Sequence, residues 1–240
     1  VVWISNVFIV NIQEYKNNYI FYYIMISILM PIYNGIEFID ESISTILYQT
    51  YTDWELIVGI NGHLPDSDVY KIAQKYEEKD QRIKVYDLHH LKGKSNALNE
   101  MINYCKYDWV SLLDVDDKWL PKKLESQTPY MDNYDVIGTQ CKYFGDRNDR
   151  PSIPGGDLTG YNFTKSNPII NSSCLIRKSL AIWEENGIED YHLWLKLWKE
   201  GKQFFNVETI QVMHRIHQES AFNAKGNHLK VDDLKRKYCV

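Results

Sequence analysis

A chain of 240 residues, 44% hydrophobic and 25% charged, has enough apolar material for one large globular domain with appendages. Its formal net charge of -5 and its dispersed Lys and Arg exclude a nucleic-acid binder, whose affinity would rest on clustered positive charge against phosphate. Cys105, Cys141, Cys174 and Cys239 form neither a CxxC pair nor a disulfide-dense pattern, which points to a reducing, cytoplasmic setting.

Residues 1–24 carry a polar middle, Asn11 to Asn18, before turning aromatic and apolar. They lack the roughly 20 uninterrupted apolar residues of a membrane span and the basic flank and cleavage site of a signal peptide. They read as a loosely ordered extension, with a peripheral membrane contact as the alternative, and the main domain is expected over 25–223.

From Ile26 onward the pattern alternates between strand and helix. ISILMPIY is a short apolar run with the length of a buried strand, stopped by Asn34-Gly35, and Ile36, Ile39, Ile43, Ile46 and Leu47 then recur at helical spacing. WELIVGI is the second strand, ending at Asn61-Gly62. Ser67 to Lys79 reads as a helix, RIKVYDL as the third strand, Ser95 to Cys105 as a helix after the basic loop Lys92-Gly93-Lys94, and WVSLLD as the fourth strand. This alternation predicts parallel strands joined by crossover helices. Ligands in such sheets gather at the carboxyl ends of strands, so four chemical loops are expected around one cleft.

The organising stretch is SLLDVDDKWLPKKLE, Ser111 to Glu125. On extended backbone Asp114 and Asp116 leave on the same side, and two carboxylates placed together repel unless a divalent cation sits between them and a phosphate. Asp117 points the other way and, with Pro121, reads as the entry to a helix. The second half has fewer clean repeats. Two islands stand out in it, GIEDYHLWLKLWK at Gly187 to Lys199 and HRIHQES at His214 to Ser220, followed by a polar tail over 224–240 that is expected to fray. The sequons at Asn162 and Asn171 read as chance. His89, His90 and His192 lack zinc spacing.

Taken in order, SILMPIYNG, WELIVGING, KGKSNALN, LLDVDDKWLPKKLE, NSSCLIRK, EDYHLWLKL and HRIHQES resemble a family 2 glycosyltransferase of the GT-A fold over Ile26 to Phe222. That resemblance implies an α/β single domain with a mostly parallel, Rossmann-like sheet flanked by helices. It implies an inverting enzyme using a nucleotide-sugar donor, a UDP-sugar first, with Mn²⁺ or Mg²⁺ and a glycan, lipid or protein hydroxyl as acceptor. Pro31, Tyr33 and Asn34 are implied to border the nucleotide, Asp114 to meet its ribose region, Asp116 to bind the metal on the diphosphate, and His217 to lie by the metal. The carboxylate opening the late helix, Asp190, is implied to be the base. Where the family often has a base-reading acid, this chain has Asn61, which still offers a donor and an acceptor.

Beside those roles stand plainer readings. Asp190 could be a helix N-terminal acid favoured by the dipole, and Lys92 and Lys94 a solvated turn. Lys94 is the candidate second positive partner of the diphosphate, Glu189 an acceptor-side contact, and Trp194, one turn past Asp190, a sugar-stacking ring. The competing functions are a nucleotidyltransferase, for which PIYNGIEF lacks a Gly-rich basic loop, and a binding module that kept the fold and lost the chemistry.

Overall fold

Every residue of Ile26–Ile32 (β1) and of Trp54–Asn61 (β2) is buried, because both strands are covered on two faces and need not alternate. In this computed structural model, which describes residues 24–185, 188–218 and 227–239, β1 pairs in parallel with β2 on one side and with Trp109–Leu112 (β4) on the other. Ile83–Leu88 (β3) continues the parallel set beside β2. The connections are Ile39–Leu47 (α1), entered through a 3-10 turn at Ile36–Phe38, then Asp68–Lys79 (α2) and Lys94–Tyr104 (α3). Ser67 is the N-cap of α2, its hydroxyl accepting the Tyr70 N–H at 3.3 Å.

The second half extends the same sheet with mixed polarity. Its strands are Lys118–Trp119 (β5), Val136–Gly145 (β6), Gly156–Asp157 (β7), Leu175–Arg177 (β8) and Phe204–Ile216 (β9). The order is β3-β2-β1-β4-β8-β6-β9-β5, with β7 also on β9. The β6–β9 pairing is parallel, whereas β8 runs antiparallel to both β4 and β6. Short helices complete the fold: Lys123–Gln127 (α4), Glu189–Lys199 (α5) and Asn227–Tyr238 (α6).

Two apolar layers sandwich the sheet. Ile28, Met30 and Ile32 of β1 join Ile39, Ile43 and Ile46 of α1 and Ala73 and Tyr76 of α2, while Leu29 joins Ala97, Leu98 and Met101 of α3 and Leu193 and Leu197 of α5. Each fully buried aliphatic side chain stabilises the fold by about 1.5–3 kcal/mol over its exposed state. The result is the α/β single domain expected, with a curled, mostly parallel sheet.

Two expectations are corrected. The chain does not enter a helix at Asp117: Asp117 closes a turn on Asp114 (N···O 3.0 Å), β5 follows as Lys118–Trp119, and α4 starts only at Lys123. The backbone groups there bond β9 instead of a helix, with Lys118 and Trp119 opposite Met213 and Val212. The polar tail contains α6, whose Leu234 is buried and whose Tyr238 hydroxyl lies 3.0 Å from His192 Nε2 of α5. The extension over 1–24 lies, save Ile24, outside the described residues. Among the described residues no helix is long and apolar enough to cross a membrane.

Candidate active site

At the carboxyl ends of β1, β2 and β4 the chain leaves the sheet through polar loops, and a cleft of about 670 Å³ opens there. It is lined by Pro31 near the end of β1 and Tyr33 and Asn34 after it, Asn61 at the end of β2 and Gly62 after it, Lys92 to Lys94 at the entry to α3, Asp114 to Asp116 after β4, and His214 and His217 at the end of β9. Eight of the residues singled out in the sequence meet in it: Pro31, Tyr33, Asn34, Asn61, Lys94, Asp114, Asp116 and His217.

The wall formed by β1 and β2 is part rigid and part open. Asn61 is buried at the last position of β2 and donates to the Gly93 carbonyl at 3.5 Å, tying β2 to the basic loop. Tyr33 is 57% exposed, and its ring packs over Gly62, where a Cβ would meet it at 2.8 Å. Gly62 has φ +75, so both its backbone and its missing side chain are needed there. His63 Nε2 lies 2.5 Å from the Tyr33 carbonyl, a contact that nothing in the sequence pattern announces.

The three acids of the DxDD have different surroundings. Asp114 accepts both contacts of the Asn171 amide, at 3.1 and 3.0 Å, and lies 2.6 Å from Lys94 Nζ. Burial pushes its carboxyl up, but Lys94, Asn171 and His214 outweigh that and hold it below the usual range. Asp117 is fully buried and accepts from His214 Nδ1 at 2.9 Å and from the Arg215 N–H at 2.8 Å, so it anchors β9. Burial opposes the charge on His214, yet Asp117, Asp114 and Asp116 raise it to about 9.

Asp116 lies 3.1 Å from His217 Nε2, and its carboxyl is pushed up by burial and then by Asp117 and Asp114, with the His217 bond opposing. Such a crowded acid is relieved by a cation. A carboxylate suits Mn²⁺ and Mg²⁺ alike, and Mg²⁺ takes few protein ligands when phosphate and water complete its shell. Among the described residues no set of three or more His, Cys, Asp or Glu side chains is arranged to hold an ion, so the fit is of Asp116 and His217 completed by a ligand's own oxygens. The loop is buckled in place by Arg215, which donates to the Asp116 carbonyl at 2.9 Å and to Glu41 at 2.6 Å while stacking on Phe38 and Phe144.

Glu189 and Asp190 open α5 on the Lys94 side of the cleft rather than on its wall. Lys94 reaches Glu189 at 3.6 Å, so one ammonium joins the DxD to the start of α5. Asp190 is raised to about 6 by burial and by the charge of Glu189, against the pull of Lys94 and of the Asn167 amide at 3.0 Å. Trp194 must be corrected. It is fully buried in the layer of Leu193, Leu195 and Leu197 and offers no face to a sugar, because one turn into α5 that side of the helix already packs against the sheet.

Sequence reading missed the two asparagines that hold these acids. Asn171 opens the NSSCLIRK stretch, whose pattern alone gives it no role, and Asn167 precedes Pro168 in a loop without periodicity.

Comparison with known proteins agrees with this architecture. The family model described as "Glycosyl transferase family 2" matches residues 27–181. The chain is 32% identical over 215 residues to the O-antigen biosynthesis glycosyltransferase WbnJ of Escherichia coli, covering 82% of this chain and 81% of that one. It is 30% identical over 226 residues to the Escherichia coli UDP-Glc:alpha-D-GlcNAc-diphosphoundecaprenol beta-1,3-glucosyltransferase WfgD, covering 86% and 83%. Among solved structures, S. aureus TarS 1-349 in complex with UDP-GlcNAc superposes with a TM-score of 0.70 at 17% identity over 90% of this chain and 66% of that one. The mannosyltransferase PcManGT from Pyrobaculum calidifontis, in complex with GDP-Man and Mn2+, gives 0.64 at 15% identity, covering 82% and 58%. With the fold, the family model and relatives of this similarity in agreement, the chain belongs to glycosyl transferase family 2 and is a glycosyltransferase.

Proposed function

We propose that this glycosyltransferase moves a sugar from a nucleotide diphosphate donor, a UDP-sugar first, to an acceptor hydroxyl with inversion, and that Mn²⁺ or Mg²⁺ assists. The observation that carries the reading is the position of Lys94, in contact with Asp114 on the donor side and with Glu189 beside Asp190. Donor binding and proton removal would then occur at two ends of one charged network.

In this reading Tyr33, Asn34 and Asn61 border the base and Pro31 the wall beneath it, while Asp114 faces the ribose. Asp116 and His217 would hold the cation, which would supply positive charge where the departing diphosphate gains negative charge. Lys94 adds a second positive group there. Asp190 accepts the proton of the acceptor hydroxyl as that oxygen attacks the anomeric carbon in line, and its raised acidity range suits a base near neutral pH. Glu189 contacts the acceptor side. The nucleotide-sugar ligands of TarS and PcManGT and the Mn2+ of the latter support the donor and the cation. The name of WbnJ favours a glycan product and that of WfgD a sugar carried on a lipid diphosphate as acceptor, which suits a cytoplasmic protein with a peripheral membrane contact.

The test is a binding and turnover screen of UDP-, GDP- and dTDP-sugars with and without Mn²⁺. Binding of a UDP-sugar with Mn²⁺-dependent turnover is expected. Turnover undiminished by a chelator would remove the cation from the mechanism, and no nucleotide binding at all would sink the reading.

A further inference from the structure

Asn167 lies in the loop ahead of β8, and its side chain is fixed at both ends. Nδ2 donates to Asp190 Oδ2 at 3.0 Å, and Oδ1 accepts the Ile169 N–H at 3.2 Å. The second bond decides the orientation of the amide: an oxygen must face the N–H, so the NH₂ group faces the carboxylate. The loop itself is held. Pro168 restricts the backbone of Asn167, and the buried Asn206 donates to the Pro168 carbonyl at 2.8 Å and to the Pro154 carbonyl at 2.8 Å.

A rigid donor aimed at one carboxylate oxygen does two things. It sets the rotation of the carboxylate, and it favours the ionised form. Asp190 is the second residue of α5, where its carboxylate also accepts from the Tyr191 backbone N–H, so the helix start and the Asn167 amide fix it together. We infer that Asn167 is the positioning residue of the proposed base: it holds Asp190 by Oδ2 and presents the other oxygen to the acceptor hydroxyl. This inference rests on the reading of Asp190 as the base. The groups facing Asp190 are Glu189 on its own helix, Lys94 from α3 and the Cys174 thiol, which burial keeps uncharged.

The test compares Asn167→Asp and Asn167→Ala with Asp190→Asn, measuring kcat against pH, donor KM and melting temperature. Asn167→Ala removes both bonds and adds no charge, so it carries the test; Asn167→Asp keeps an oxygen for Ile169 but also sets a second carboxylate against Asp190, so its limb should move further. In both variants the acid limb of kcat is expected to move up by about one pH unit or more, and kcat at neutral pH to fall by about tenfold, with donor KM within about twofold of wild type. A merely structural asparagine would change melting temperature and leave the limb in place. An unmoved limb in Asn167→Ala, with Asp190→Asn inactive, would overturn the positioning role and leave the base intact. Full activity of Asp190→Asn would remove the base itself and the inference with it.

Discussion

Lys94 Nζ lies 2.6 Å from Asp114 Oδ1, and through this one pair the first residue of α3 meets the acidic tip of β4. Burial disfavours the charge on Lys94, but Asp114 and Glu189 more than compensate and hold its pKa well above the ordinary lysine value. Lys94→Met would leave three carboxylates, at Asp114, Glu189 and Asp190, without their shared cation. Turnover is expected to fall by about 10² or more, and stability by roughly 2 kcal/mol, less than for a fully buried pair because a third of the lysine side chain is exposed. A denaturant titration alongside initial rates checks both.

Asp190 is raised to about 6, so as the proposed base it should lose its function as pH drops through that value. The sign follows from the role: only the ionised carboxylate accepts a proton, and kcat should decline tenfold per pH unit below about 6. Asp190→Asn should lower transfer by about 10³ or more while donor affinity, read by calorimetry, stays within about twofold.

Asp116 and His217 are the two protein groups proposed to hold the cation. Chelation is expected to reduce turnover by about 10² or more, with recovery on adding Mn²⁺, while Asp116→Asn should be equally slow and not recover. Recovery of Asp116→Asn by Mn²⁺ at the wild-type concentration would place the cation elsewhere.

Lys123 is fully buried, with its ammonium bonded to the Ser111 hydroxyl and, at 3.3 Å, to the Cys174 carbonyl, over the face of Trp119. Burial lowers its pKa to about 7. A lysine depressed in the folded state binds more protons when unfolded, so stability should rise between pH 7 and the ordinary lysine value, by up to about 1.4 kcal/mol per pH unit. Lys123→Met should abolish that slope. Melts at pH 7 and pH 9 of both proteins decide it.

The first half of the fold was legible because its physics is local. Short, mostly apolar runs such as Ile26–Ile32, ended by Asn34-Gly35, have the length of strands covered on both faces, and crossover spacing then delivers Asn61, Lys94 and Asp114 to one end of the sheet. The second half was not, since β8 enters antiparallel between β4 and β6 and no composition signal marks that order. Asp117 was read as structural for the wrong reason: it does not start a helix but pins His214 and the Arg215 backbone. Trp194 shared the helical face of Asp190 in sequence, yet burial took it out of reach. Asn167 and Asn171 act only through residues 23 and 57 positions away, a relationship that a linear reading cannot see.

The bond from the Arg215 N–H to Asp117 spans 98 residues, and the contact of His217 with Asp116 spans 101. Contacts of such sequence separation close large loops and form late in folding. At roughly 5–20 residues per second, a ribosome would make the strands β1 to β4 about 5–20 seconds before it reaches β9. A nascent chain can therefore pair its first four strands and display one wall of the cleft while its acidic end is still unfinished. Only when the last strand arrives do the carboxylates of one loop acquire the histidines that balance them, so the enzyme cannot become active partway through its own synthesis.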